Sequence, residues 1–131
     1  MKKNIMFAII LILCACKSNK TGGDALVVCG VELSAMGGAY RIGGHDNFVF
    51  EACEYMDSFL DFNPTVAVVL NIEMDHVDYF SSMAQIRRSF SAYMTLTGQD
   101  GVAIINADDE NVMLAAKFFG GRKVTFSTKD P

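Results

Sequence analysis

At 131 residues, with 51% hydrophobic and 20% charged residues, the chain has the composition of one folded domain, not of a disordered or collagen-like polymer. Eleven basic residues against 15 acidic ones leave a formal net charge of −4, which argues against a surface built to capture nucleic acid. Four unevenly spaced cysteines are too few for a disulfide scaffold.

The first 20 residues read differently from the rest. Lys2 and Lys3 precede an apolar run from Ile5 to Cys16, and Lys17-Ser18-Asn19-Lys20 follows it. The run is shorter than the roughly 20 residues a spanning helix needs and has the order of a secretory signal. Leu13-Cys14-Ala15-Cys16 resembles a lipoprotein box with Cys16 as the lipidated residue. Residues 1–20 are therefore expected to be a leader that packs poorly on the body, which occupies residues 22–131. A buried N-terminal helix or strand is the alternative.

From Ala25 onward, short apolar strands alternate with helices. Gly30–Gly44 holds five glycines and reads as loop or irregular ribbon. Strands are expected at Asn47–Phe50, Thr65–Leu70, Val102–Ile105 and Lys123–Phe126. Continuous β-branched runs such as TVAVVL suit a parallel sheet covered by helices. Ser82 and Gln85 have the spacing of a capping box, and Met83, Ile86, Phe90 and Tyr93 then recur on one helical face until Gly98. A second helix starts near Asp108–Asp109, buries Val112, Ala115, Ala116 and Phe119, and stops at Gly120-Gly121. The expected fold is α/β, a mainly parallel sheet flanked by helices with right-handed crossovers.

Ligands of such sheets bind beyond the carboxyl ends of the strands. Those positions carry Glu51, Cys53 and Glu54, then Asn71, Glu73, Asp75, His76 and Asp78, then Asn106, Asp108 and Asp109. An acid-rich rim of this kind suits a divalent cation such as Mg2+, although helix caps account equally for Asp108 and Asp109. His76, flanked by Asp75 and Asp78, is a candidate ligand or a structural hydrogen-bonder. His45, in the glycine-rich loop, is a weak candidate. Cys29 and Cys53 lie in no CxxC pair and read as structural thiols. Lys20-Thr21-Gly22-Gly23 lacks the glycine spacing of a phosphate loop.

Four ordered motifs carry a family resemblance. They are Tyr40-Arg41-Ile42-Gly43-Gly44; Glu51-Ala52-Cys53-Glu54-Tyr55 with Ser58-Phe59-Leu60; Asn71-Ile72-Glu73-Met74-Asp75-His76-Val77-Asp78-Tyr79; and Asn106-Ala107-Asp108-Asp109. Together they resemble the central, P-loop-NTPase-like domain of the Mur ligases, in particular the alanine-adding branch. The resemblance implies a cytoplasmic, ATP-dependent ligation of L-alanine to UDP-N-acetylmuramate through an acyl phosphate, in peptidoglycan precursor synthesis. It also implies Glu51 and His76 as ligands of Mg2+ and Asn106 as the adenine contact, with no catalytic residue fixed. Asp75 and Asp78 would orient His76. The family's phosphate loop and flanking domains are not found in these residues. The expectation is therefore a truncated or chimeric reading frame, inactive alone. The competing reading is a lipid-anchored binding module without catalysis, which the leader would place at a membrane outside the cytoplasm.

Overall fold

The structure, a computed structural model, describes residues 10–15, 24–44 and 46–129. Its seven strands are β1 (Ile10–Ala15), β2 (Leu26–Leu33), β3 (Gly38–Arg41), β4 (Asn47–Ala52), β5 (Val66–Val69), β6 (Val102–Asn106) and β7 (Lys123–Phe126). They form one sheet in the order β3-β2-β4-β1-β5-β6-β7. β2 runs parallel to β4, and β5, β6 and β7 run parallel to one another. β1 is antiparallel to both β4 and β5, so those two point the same way across it. Five strands thus share one direction, as the apolar runs predicted.

Two stretches take a more definite form than the sequence gives them. Within the structure, Ile10–Ala15 is paired with the body. It lies in the middle of the sheet, with Ile10 opposite Ala52 on one side and Val69 on the other. An apolar, β-branched run fills an interior strand as readily as it fills the core of a leader, and composition does not separate the two. Residues 1–9 and 16–20, including the lipidation candidate Cys16, lie outside the described residues. The glycine-rich stretch takes the second of its two expected forms, an irregular ribbon. β2 and β3 pair as an antiparallel hairpin whose register shifts between Val28 and Leu33. Gly37, at φ 70°, supplies the left-handed residue of its turn. Gly43 is glycine for another reason, since a Cβ there would sit 2.2 Å from the Ala25 carbonyl oxygen.

Helix α1 (Met83–Thr95) starts where the capping signal places it. Ser82 Oγ accepts the Gln85 N–H, while Gln85 Oε1 accepts from the N–H and hydroxyl of Ser81. The glutamine thus closes the box one residue earlier than the motif implies. Helix α2 (Glu110–Ala116) is capped by Asp109, whose Oδ1 accepts the Val112 N–H at 2.8 Å. At its far end, Lys123 Nζ donates to the carbonyls of Ala116 and Phe119, satisfying groups that a helix terminus leaves open.

The helices pack against each other. Ile86, Phe90 and Tyr93 of α1 join Val112, Ala115 and Phe119 over Ala67, Val69, Ala103 and Ile105 of the sheet. Phe59 anchors this layer, stacked on Tyr93 at 4.8 Å and meeting Phe90 edge-on at 5.3 Å. The Tyr93 hydroxyl is buried with no hydrogen-bond partner, and burial pushes its pKa up.

Two outcomes follow from this packing. Tyr93→Phe keeps the ring stack and removes an unsatisfied hydroxyl, so urea denaturation should show a gain of about 1 kcal/mol; a loss of that size would mean the hydroxyl has a partner. Ile12→Pro removes a ladder donor from a strand paired on both sides, opposite Phe50 and Ala67. Its thermal unfolding should lose cooperativity or shift to much lower temperature, whereas an unchanged melt would place these residues outside the fold.

Candidate functional site at the carboxyl edge of the sheet

Because β4, β5 and β6 share a direction, the segments that follow them emerge on one edge. Glu51 is the penultimate residue of β4, and Asn106 is the last of β6. His76 lies on the segment that follows β5. The sequence expectation of a common edge holds for all three.

The segment after β4 turns back at once. Ser58 Oγ and the Phe59 N–H both donate to the Cys53 carbonyl, at 2.8 and 3.0 Å, and the Asp57 N–H donates to the Glu54 carbonyl. These bonds belong to a kinked 310 segment, Tyr55–Asp61, in which Met56 and Asp57 adopt left-handed backbone. Buried Phe59 ties the turn to the core. Cys53 and Glu54 are consequently presented by a braced backbone, a feature that strand and helix periodicity does not reveal.

His76 is held from the other side. It has φ 48°, its carbonyl accepts from the N–H groups of Tyr79 and Phe80, and its own N–H donates to Asp75 Oδ1 at 2.7 Å. Non-glycine residues in this region are uncommon and collect at functional sites. Its ring lies 4.6 Å from the ring of Tyr55, whose hydroxyl donates to Asp78 Oδ2 at 2.7 Å. Asp78 thus acts on His76 through a tyrosine, and Asp75 acts through the backbone. The Tyr55 bond also holds the Asp78 carboxyl below the usual range. Asp57 plays a matching role, accepting the hydroxyls of Tyr79 at 2.5 Å and of Ser89.

Between these two braced turns lies a cavity of about 230 Å3 lined by Gly30, Glu51, Cys53, Glu54 and His76, among others. Glu51 Oε2 accepts the Gly30 N–H at 2.8 Å, which leaves its second oxygen for the cavity. Glu54 is 7% exposed, and its carboxylate lies 3.6 Å from His76 Nε2. Burial raises its pKa, and the negative charges of Asp75 and Glu51 add to that, against the lowering effects of a backbone hydrogen bond and of His76. A buried carboxylate beside two others is an environment that a cation relieves. Cys53 is exposed at this wall. Cys29 is half-buried, and His45 lies outside the described residues.

Asn106 stands at the same edge but is not among the residues lining the cavity. Its Nδ2 donates to the Leu70 carbonyl and its Oδ1 accepts the Asp108 N–H, both at 2.9 Å. An amide has two donors and two lone pairs, so one of each stays available. Asn71, next after Leu70, has a buried Nδ2 with no partner. Asp108 and Asp109 belong to the frame: Asp109 caps α2, and Asp108 accepts from Ser127 Oγ and from the N–H and hydroxyl of Thr128.

A family profile described as Mur ligase middle domain matches residues 30–131. The chain belongs to this family. Over 103 residues it is 43% identical to UDP-N-acetylmuramate--L-alanine ligase of Caldicellulosiruptor saccharolyticus, a match covering 79% of this chain and 23% of that protein. The ligase of the same name from Acetivibrio thermocellus is 44% identical over 107 residues, covering 82% of this chain and 23% of the relative. The chain spans about a quarter of the length of these curated relatives. Among solved structures, the UDP-N-acetylmuramate:L-alanyl-gamma-D-glutamyl-meso-diaminopimelate ligase from Neisseria meningitides superposes with TM-score 0.63 at 21% identity, over 79% of this chain and 36% of that one. That likeness shows the shared α/β fold.

The Asp108 clasp gives this Mur ligase middle domain a pH signature. Its bonds from Ser127 and Thr128 hold the Asp108 pKa at about 2, below the ordinary 3.8. A depressed carboxyl contributes stability above the ordinary value and loses it as pH falls through the folded one. The urea midpoint of the natural chain should therefore exceed that of Asp108→Asn at pH 6. The two should converge between about pH 4 and pH 2, and a constant difference across that range would refute the clasp.

Proposed function

We propose that these residues form the nucleotide-side edge of an ATP-dependent ligase that joins L-alanine to UDP-N-acetylmuramate in the cytoplasm. The observation that carries this reading is the convergence of Glu51, Glu54 and His76 on one cavity at the carboxyl edge of a Mur ligase middle domain. The names of the relatives supply the substrates. Glu51 and His76 would hold Mg2+, since a free carboxylate oxygen and an imidazole beside a buried acid fit a divalent cation. The bound cation would neutralise charge on the transferring phosphoryl group. Asn106, with one N–H and one lone pair uncommitted, fits an adenine edge, and the orphan Nδ2 of Asn71 offers a further donor there.

The protein's part in such a reaction is positioning. The Asp78–Tyr55 pair steadies the His76 ring, and the Gly30 N–H steadies Glu51. The sequence contains no Gly-Lys pair, so it lacks the phosphate-gripping lysine loop. On this reading, the 131 residues alone turn over no substrate. The competing reading, an exported lipid-anchored module, draws on the leader-like composition; the place of Ile10–Ala15 inside the sheet favours a body-resident role for that segment. No helix among the described residues is long and apolar enough to cross a membrane.

The test needs a complete host. His76→Ala should be made at the matching histidine of a full-length ligase carrying the same NIExDHxDYF segment. Melting temperature should hold nearly constant, while alanine-dependent phosphate release falls at least tenfold and partly recovers at high Mg2+. A large drop in melting temperature with unchanged turnover per folded molecule would show a structural histidine instead. For the 131-residue chain itself, calorimetry should show only weak Mg-ATP binding.

A further inference from the structure

The cavity holds a thiol that the ligase reading does not use. Cys53 Sγ, a Glu54 carboxylate oxygen and a His76 ring nitrogen all lie within 4.8 Å of one another. Among them Glu54 is the buried member, His76 is half-buried, and Cys53 is exposed at the mouth. We propose that Cys53, Glu54 and His76 form a site for a thiophilic divalent cation of the Zn2+ class, with a fourth position open to the cavity.

Three physical points support the assignment. The first is donor type. A thiolate beside an imidazole and one carboxylate makes a mixed soft–borderline set, which Zn2+ accepts in tetrahedral geometry, whereas a hard ion such as Mg2+ gains nothing from the sulfur. The second is preorganisation. The backbone carrying Cys53 and Glu54 is pinned through the Cys53 carbonyl, and His76 is fixed by its turn and by the Tyr55 ring. Glu54 Oε1 and His76 Nε2 already stand 3.6 Å apart, a separation that two ligands of one tetrahedral ion can share, which leaves the exposed Cys53 as the donor to adjust. The third is charge. Glu51 and Glu54 both line the cavity, so carboxylate charge gathers where an ion can offset it. Binding would release the Cys53 thiol proton to solvent, as metal capture by a cysteine requires.

This assignment does not rest on the ligase reading, but the two share His76. A Zn2+ ion on Cys53 and Glu54 would occupy that imidazole and withhold it from Mg2+ at Glu51. Micromolar Zn2+ would then act as a competitor of Mg2+ in this site.

Cobalt(II) is the probe, because a thiolate on tetrahedral Co2+ gives a charge-transfer band in the near ultraviolet that an all-oxygen site lacks. The chain is prepared with Cys14, Cys16 and Cys29 changed to serine, leaving Cys53 as its one thiol. Titration should saturate at one Co2+ per chain with that band present. Zn2+ should abolish the band, and a thousandfold excess of Mg2+ should not. Cys53→Ser in this background should remove it, with the far-ultraviolet dichroism unchanged. Glu54→Gln and His76→Gln should each weaken Co2+ binding by about tenfold or more. Should the triple serine chain not fold, the difference between the natural chain and its own Cys53→Ser variant gives the same comparison. Absence of the band, or a band of equal affinity in Glu54→Gln and His76→Gln, would overturn the assignment. None of these readouts requires nucleotide or turnover, so the outcome is separate from that of the ligase test.

Discussion

The shared direction of β4, β5 and β6 is the constraint on which the rest of the molecule depends. Parallel strands force every connection to leave from the same edge, so residues far apart in sequence are delivered to one rim. Glu51, His76 and Asn106 lie at that rim for no other reason. β1 makes the arrangement continuous: it pairs with β4 on one side and β5 on the other, in the opposite direction to both. Without a strand in that place, two parallel strands would face each other across a gap with unpaired backbone groups in the interior, a cost proteins avoid.

Around this edge, polar groups are organised in relays rather than in direct contacts. Asp78 reaches His76 through the Tyr55 hydroxyl and ring. Asp57 gathers Tyr79 and Ser89, joining the turn after β4 to the turn after β5 and to α1. Arg87 holds the Asn111 side chain, which in turn donates to the Ile72 carbonyl. Each relay ends on a backbone or ring that borders the cavity or its supporting turns. The acids of the motif after β5 therefore differ in function although they lie within four residues of each other. Asp75 fixes the backbone, and Asp78 fixes an aromatic neighbour.

The two proposed cation readings differ in which donor joins His76. Glu51 is tethered to Gly30 and offers a single hard oxygen, whereas Cys53 is exposed and offers a soft sulfur. Metal identity at this edge thus depends on one side chain, two residues beyond the carboxylate that the family resemblance singles out. A glycine at position 30 also matters to this choice, since a Cβ there would come within 3.3 Å of Glu51 Oε2.

Much of this was legible in the residues. Continuous apolar runs with β-branched residues specified β5 and β6, and Ser82, Asp109 and the apolar spacing of Ile86, Phe90 and Tyr93 specified both helices, because these signals depend on neighbours within one turn. The four motifs indicated the family and the residues at the edge. The stretch of β2 and β3 was legible only as loop or irregular ribbon, and its register was not, since glycine-rich sequence has weak local preference and pairs only when a partner strand is present. For Ile10–Ala15 the residues left leader and buried strand both open, because an apolar run carries no information about whether lipid or a sheet interior will cover it. The meeting of Cys53 with His76, 23 positions apart, depends on two turns folding back onto one cavity. Sequence determined the donors, and only the tertiary structure decided which of them share a site, because strand direction and turn closure are long-range constraints.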